Sequence, residues 1–284
     1  MLENIDIGPE PFRRLAKIVK SLLIPAYVIN LDRATKRRVH IEAKFAEARI
    51  PFRRVAAIDG KSLELQPSFY SENSYRWRHG RETNPPEIGC YLSHLEAFRE
   101  FLATDSELAL ICEDDISFGS DLPSTIAAAL IGPRFWNVLR LSGLSEGRPL
   151  RVSRLDEKSW LCINFGRIKG TGAYLIDRTA ALTYTTQLLP MKLPFDHAFD
   201  REWCHGLASA SMIPFPVNQI QKRFGSAIQT YAQPKLSIWR RWLTTYPYQA
   251  GNEVMRCLYR SALYLTVKWR CRRELTDLTI QGQT

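Results

Sequence analysis

The chain has 284 residues, 45% of them hydrophobic and 24% charged. These are globular values that exclude wholesale disorder and leave enough apolar side chains for one large α/β domain, with or without an appendage. Its formal net charge is +10, yet the stretch Lys235 to Arg273, with nine Lys and Arg against the one acid Glu253, holds +8 of that, so the body is near neutral and a basic nucleic-acid-binding domain face is not expected.

Residues 1–24 read as a lead-in. Leu15 to Ile29 is apolar but broken by Lys17, Lys20 and Pro25, with no small-residue cleavage site after it, so no secretory signal is expected. No run reaches the roughly 18–20 apolar residues of a spanning helix. Ala26 to Leu31 is a short apolar run and predicts a buried strand. Val39, Ile41, Phe45 and Ala48 recur near helical spacing within Thr35–Ala48, and Pro51 stops that helix. Phe52–Ile58 predicts a second strand that closes on the turn Asp59-Gly60. Strand, helix and strand in so short a span suit a βαβ unit. Residues 61–85, rich in Pro, Ser and Asn, read as irregular.

Pro86 suits the first position of a helix, where its missing N–H has no partner to lose. Ile88, Tyr91, Leu92, Leu95, Phe98 and Leu102 then predict a helix over Glu87–Leu102. Leu108–Cys112 is a continuous apolar run, as a central strand covered on both faces requires, and it runs into Glu113-Asp114-Asp115. Asn137–Leu141 and Ala173–Ile176 predict further strands, and Thr179–Leu189 a helix ended by Pro190. The alternation predicts an α/β doubly wound sheet over 25–233 and a basic, Trp-containing helical tail over 234–284. The six cysteines are scattered without CxxC spacing and no Cys/His cluster resembles a zinc site. They read as reduced thiols of a cytosolic protein.

The acidic triplet sits at the carboxyl end of a predicted buried strand, where open α/β sheets bind ligands. In extended backbone, residues two apart share a face, so Glu113 and Asp115 are expected together and Asp114 opposite. Three adjacent carboxylates repel one another unless a cation or hydrogen-bond donors relieve them. Their hard oxygens suit Mg²⁺ or Mn²⁺, or the triplet is a solvated acidic turn. Asp196 and His197, with Asp200 nearby, follow Pro190 and Pro194. They read as a base or metal-ligand pair at a helix start, or as a cap at Asp196. Glu87, Cys90 and His94 share one side of the 87–102 helix. Gly170-Thr171-Gly172 allows close backbone approach to a ligand, or simply a turn. The absence of GxGxxG and of GxxxxGK[ST] argues against dinucleotide and P-loop sites.

Six stretches in register resemble glycosyltransferase family 25. They are Val28–Arg33, Ala57–Gly60, Glu87–His94, Leu110–Asp115, Gly170–Ile176 and Phe195–His197, spread over residues 25–205. Pro86 stands where the family usually has Gly, and Asp177 where Ser is common. The resemblance implies a GT-A type nucleotide-sugar fold, a UDP-sugar donor, usually a divalent metal, and inversion to a β-linkage. By residue it implies a nucleotide pocket from Asn30, Asp32, Arg33, Ala57 and Asp59, with Ser93, His94 and Asp114 near the cofactor. A DxD-type pair, Glu113 and Asp115, would meet ribose and metal, with His197 as a further metal ligand. Asp196, or else His197, would be the catalytic base. The expected acceptor is a glycan or lipid-linked glycan of the lipopolysaccharide core kind. The alternatives are collagen-type transfer of galactose to protein, or a non-enzymatic basic membrane binder.

Within the tail, Val254, Leu258, Ala262, Leu265 and Trp269 recur at helical steps among Arg256, Arg260, Lys268 and Arg270. A basic amphipathic helix with Trp suits an anionic membrane surface, or it packs on the domain as an ordinary C-terminal helix. The first option places the protein peripherally on the inner face of a bacterial inner membrane.

Overall fold

The computed structural model describes residues 24–220, 231 and 233–281, with side chains to 270. The lead-in over 1–23 therefore lies outside the described residues. The elements in order are β1 (Ala26–Asn30), α1 (Thr35–Glu47), β2 (Phe52–Ala56), α2 (Glu72–His79), α3 (Pro85–Leu102), β3 (Leu108–Glu113), β4 (Ile116–Phe118), α4 (Leu122–Ile131), β5 (Val138–Arg140), β6 (Pro149–Arg154), β7 (Trp160–Asn164), β8 (Ala173–Asp177), α5 (Arg178–Gln187) and α6 (Phe195–Phe199). A 3₁₀ turn (Glu202–His205) follows, then β9 (Ser209–Ile213), β10 (Val217–Gln219), α7 (Ile238–Leu243) and α8 (Thr245–Gln281).

Eight strands form one sheet in the order β2-β1-β3-β8-β5-β9-β7-β6, and β4 pairs with β10 in a separate ribbon. β1 runs parallel to β2 and to β3. The expectation of a doubly wound sheet is met there and corrected at β8, which is antiparallel to both β3 and β5. The core sets this direction, by placing β8 between β3 and β5 from distant parts of the chain. β8 leads directly into α5, whose cap is the Asp177 carboxylate accepting the Ala180 N–H. That helix lies back across α3, with Tyr184 stacked on Phe98.

The runs of β1 and β3 are apolar because each face feeds a different core. Tyr27, Ile29, Ala109 and Ile111 pack under α3 and α5, while Ala26, Val28, Leu110 and Cys112 pack with Ile41 and Phe45 of α1. This period-two alternation decides where the acids at the end of β3 point. α3 begins at Pro85, one residue before the proline expected to open it, with Asn84 as N-cap. The stretch read as irregular contains α2, which buries only Tyr75; one buried side chain leaves no periodicity to detect.

The tail helix α8 packs on the domain. Arg256, Arg260 and Val267 are buried against it, whereas Leu258 (62% exposed) and Trp269 (54% exposed) face outward. The face that reads as an apolar stripe is therefore the outer one, and two of the arginines expected among solvent or lipid headgroups point inward.

Candidate functional site

The carboxyl ends of the parallel strands β1, β2 and β3 lie on one edge of the sheet. A cavity of about 120 Å³ opens there, lined by Leu31, Arg33, Ala57, Asp59, Ser93 and His94 together with the whole acidic triplet. The loop 57–60 presses onto the start of α3. A Cβ on Gly60 would lie 1.8 Å from the Pro85 carbonyl oxygen, and one on Gly89 would lie 2.4 Å from that of Ile58. Only glycine permits this contact, and the Ser93 hydroxyl completes it by accepting the Ile58 N–H at 2.8 Å and donating to the Gly89 carbonyl at 2.6 Å.

The nucleotide-pocket residues expected from sequence divide. Ala57, Ser93 and His94 line the cavity, and Arg33 and Asp59 form an ion pair at it. Asn30 is buried and donates to Asp114 at 2.7 Å, so it acts through that carboxylate. Asp32 is turned out, 79% exposed and paired with Arg54, because a residue past the end of β1 no longer follows the strand's inward alternation.

Glu113 ends β3 on the α3 face. It accepts the Thr171 hydroxyl at 2.7 Å and lies 3.5 Å from His94 Nε2. His94 is not free: its Nδ1 meets the Tyr174 hydroxyl at 2.9 Å and its ring stacks on Phe195 at 4.0 Å. Asp114 takes the opposite face and accepts from Arg37 at 2.9 Å. Asp115 departs from the expected alternation, since the strand has ended; it lies 3.6 Å from the same Arg37. Burial pushes Glu113 up, but His94 and Thr171 outweigh it and hold the carboxyl low. Burial, then the Glu113 charge, push Asp115 up to about 7. One guanidinium thus faces the two aspartates, and Asp115 Oδ1 is buried with no hydrogen-bond partner among the described residues. That donor set fits a hard divalent cation.

The scattered cysteines gave no sign of a second grouping, yet the fold brings the ligand atoms of Cys90, His94 and Glu113 within 4.8 Å of one another. One helical turn separates the first two, and β3 supplies the third. Burial pushes the Cys90 thiol well up, which keeps it protonated.

Cys90 and Glu113 also line a neighbouring cavity of about 330 Å³ that holds Asp196, His197, Glu87 and Gln219. Asp196 sits in the first turn of α6, whose N-cap is Pro194, so the capping alternative does not apply. Its Oδ2 accepts the Gly170 N–H at 3.3 Å. Burial pushes Asp196 up, but His197, the Gly170 N–H, Arg167 and Arg140 outweigh it and hold it ionised. Burial lowers His197, against the pull of Asp196. Arg167 donates to His197 Nδ1 at 3.1 Å. That contact occupies one ring nitrogen of His197, and the possible metal-ligand group found among the described residues does not include it.

Sequence reading missed Gln219. Its Oε1 and Nε2 are both buried without a partner among the described residues, and a Cβ on Gly172 would come within 2.6 Å of its Cγ. Gly170, at φ +78° with a Cβ position 2.4 Å from Gln219 Oε1, is glycine for the same reason. The Gly-Thr-Gly motif was the available signal, but its partner arrives from β10, 47 residues on. Arg37 and Arg167 were missed likewise, since lone arginines carry no pattern.

A family model described as "Glycosyltransferase family 25 (LPS biosynthesis protein)" matches residues 23–199. The chain belongs to this glycosyltransferase family. Among curated relatives, it is similar to procollagen galactosyltransferase 1-B of Xenopus laevis, 28% identical over 130 residues that are 42% of this chain and 20% of the relative. It is also similar to procollagen galactosyltransferase 2 of Mus musculus, 31% identical over 102 residues, 32% of this chain and 16% of the relative. The chain thus spans a fifth or less of the length of these relatives. Among solved structures, the inositol-1-phosphate CTP transferase from T. maritima overlaps with a TM-score of 0.35 at 13% identity, covering 80% of this chain and 83% of that one. The triplet, Asp196, His197 and the Gly-Thr-Gly turn of this chain all fall inside the matched span.

Proposed function

We propose that this transferase moves a hexose, galactose or glucose, from a UDP-sugar to a glycan hydroxyl with inversion, forming a β-linkage within a GT-A type fold. The proposed acceptor is a lipopolysaccharide or lipooligosaccharide core, or a similar lipid-linked glycan. The observation that carries this reading is the placement of Glu113, Asp114 and Asp115 in the first cavity, with Arg37 against the two aspartates and Glu113 lining the second cavity as well. The first cavity suits the nucleotide, with Arg33 beside it. The second suits the sugar, whose hydroxyls would satisfy the Gln219 amide.

Glu113 and Asp115 would hold Mn²⁺ or Mg²⁺, which when bound supplies positive charge to the departing diphosphate. Thr171 and His94 keep Glu113 ionised and aimed for that purpose. Asp196, held as the carboxylate, accepts the proton of the acceptor hydroxyl as its oxygen attacks the anomeric carbon opposite the leaving UDP. His197, fixed by Arg167, is the alternative base.

UDP and UDP-galactose should raise the melting temperature, and more so with Mn²⁺, because a ligand of the folded state alone stabilises it. Asp115→Asn should keep the fold but lose the metal-dependent increment and the transfer. Full metal-dependent transfer by that variant would refute the role given to Asp115. The relatives' names favour a second reading, transfer of galactose to protein, and acceptor competition between a glycan and a collagen peptide separates the two. A purely binding role fails if UDP is slowly released from a UDP-sugar.

Membrane contact is part of the same proposal, with the protein peripheral on the inner face of a bacterial inner membrane. Trp239, Trp242 and Leu243 of α7 are exposed, and no described helix is long and apolar enough to cross a membrane. Full-length protein should sediment with anionic liposomes at low salt and be released as salt screens the tail. No binding at low salt would end this part of the proposal.

A further inference from the structure

Beyond His197 the sugar cavity continues into two basic cavities. One, of about 730 Å³, is lined by Arg78, Arg148, Arg167, Lys169 and Arg201. Its single acid, Glu253, is already paired with Arg256, which also reaches Asp200 at 3.2 Å. The other, of about 370 Å³, shares Arg167, Lys169 and His197, adds Arg81, Lys235 and Arg241, and has no acid in its wall. Among the described residues, five of the six cations of the larger cavity, all but Arg256, have no carboxylate within 4.0 Å.

Gathering so many like charges is costly unless an anion relieves them. The guanidiniums are also held in place. Arg78 and Arg201 lie 5.2 and 5.4 Å from the Tyr248 ring centroid, which fixes their planes. The Tyr248 hydroxyl and Arg201 Nε are buried without a partner among the described residues, where buried polar groups ordinarily have one.

We propose that this basic cavity is the acceptor's subsite and that it takes a phosphate group borne by the acceptor, next to the sugar whose hydroxyl is presented to Asp196. Phosphate suits it better than a carboxylate does. A phosphomonoester carries up to two charges and three acceptor oxygens, which arginine forks bind in pairs. His197 belongs to the walls of all three cavities, so a bound phosphate sets an acceptor against the catalytic carboxylate. The inference rests on the transferase reading only for which substrate the phosphate belongs to.

The test uses full-length protein with glucose 6-phosphate, glucose and glucuronate as probes, read by calorimetry, beside acceptor-independent release of UDP from UDP-galactose. Glucose 6-phosphate should bind at least about tenfold tighter than glucose, with glucuronate between them, as charge-assisted hydrogen bonds warrant. The triple variant Arg78→Gln, Arg148→Gln, Lys169→Gln touches neither cavity of the acidic triplet. It should lose about tenfold or more of that affinity while releasing UDP at the wild-type rate.

Equal binding of glucose and glucose 6-phosphate, unchanged affinity in the variant, or displacement of glucose 6-phosphate by UDP would each overturn the proposal. If the variant loses the phosphate affinity but the wild type releases no UDP from UDP-galactose, the phosphate site stands and the donor reading falls. Phosphatidylcholine vesicles containing phosphatidate identify the source. Displacement of glucose 6-phosphate by them assigns the phosphate to a lipid, and no displacement assigns it to the glycan.

Discussion

Arg260→Met should lower the free energy of unfolding by about 3–5 kcal/mol, the usual cost of removing one partner from a buried ion pair. Arg260 is 2% exposed. Its Nε and Nη2 grip Glu202 at 2.6 and 2.8 Å, its Nη2 reaches Asp200 Oδ1 at 3.1 Å, and its Nη1 donates to the Asn164 carbonyl at 2.6 Å. Asp200 would keep Arg256 and, at 3.8 Å, Arg140. Glu202, fully buried, would lose its cation; burial already pushes its carboxyl up against the pull of Arg260. For a domain of this size the melting temperature should fall on the order of 10 °C. Adding Glu202→Gln should recover part of the loss, because no charge is then left stranded. A melting curve unchanged in Arg260→Met would show that α8 does not hold the segment 196–202 in place.

Asp196→Asn should lower kcat by about a hundredfold to ten-thousandfold, the range for loss of a general base, with little change in the donor's KM. The amide keeps an oxygen to accept the Gly170 N–H, so the local fold is retained. The pH profile supplies an independent check. A depressed pKa means that Asp196 stays ionised as pH falls and is lost as a base only when pH passes below the ordinary aspartate value of about 3.9. Wild-type transfer should therefore keep the acid limb due to Asp196 below about pH 4. A wild-type kcat in Asp196→Asn would move the base to His197.

The parts of the site legible in the sequence are those set by local rules. The apolar run Leu108–Cys112 marks a strand buried on both faces, and its alternation carries Glu113 toward His94 and Asp114 toward Asn30 and Arg37. The spacing within α3 places Cys90 and His94 one turn apart, and Asp59-Gly60 marks the turn after β2. Alternation stops being informative where the strand stops, so the position of Asp115 could not be read, nor the outward turn of Asp32.

The tail shows the same boundary from the other side. Its charge count and helical period were legible, but a period has no sign: it places two faces opposite each other without saying which one meets the domain. Asp200 and Glu202 decide that, by drawing Arg256 and Arg260 inward. The basic cavity is likewise invisible along the chain, because Arg78, Arg148, Arg167 and Arg201 come from four separate segments. By itself, then, the sequence determined β1, α1, β2, α3, β3, β5, β8 and α5, the acidic triplet at the end of β3 and the family to which the chain belongs, since these rest on short-range patterns. Only the tertiary structure decided the antiparallel β8, the pairing of Gln219 with the Gly-Thr-Gly turn and the inward arginines, since each depends on which distant segments the core brings together.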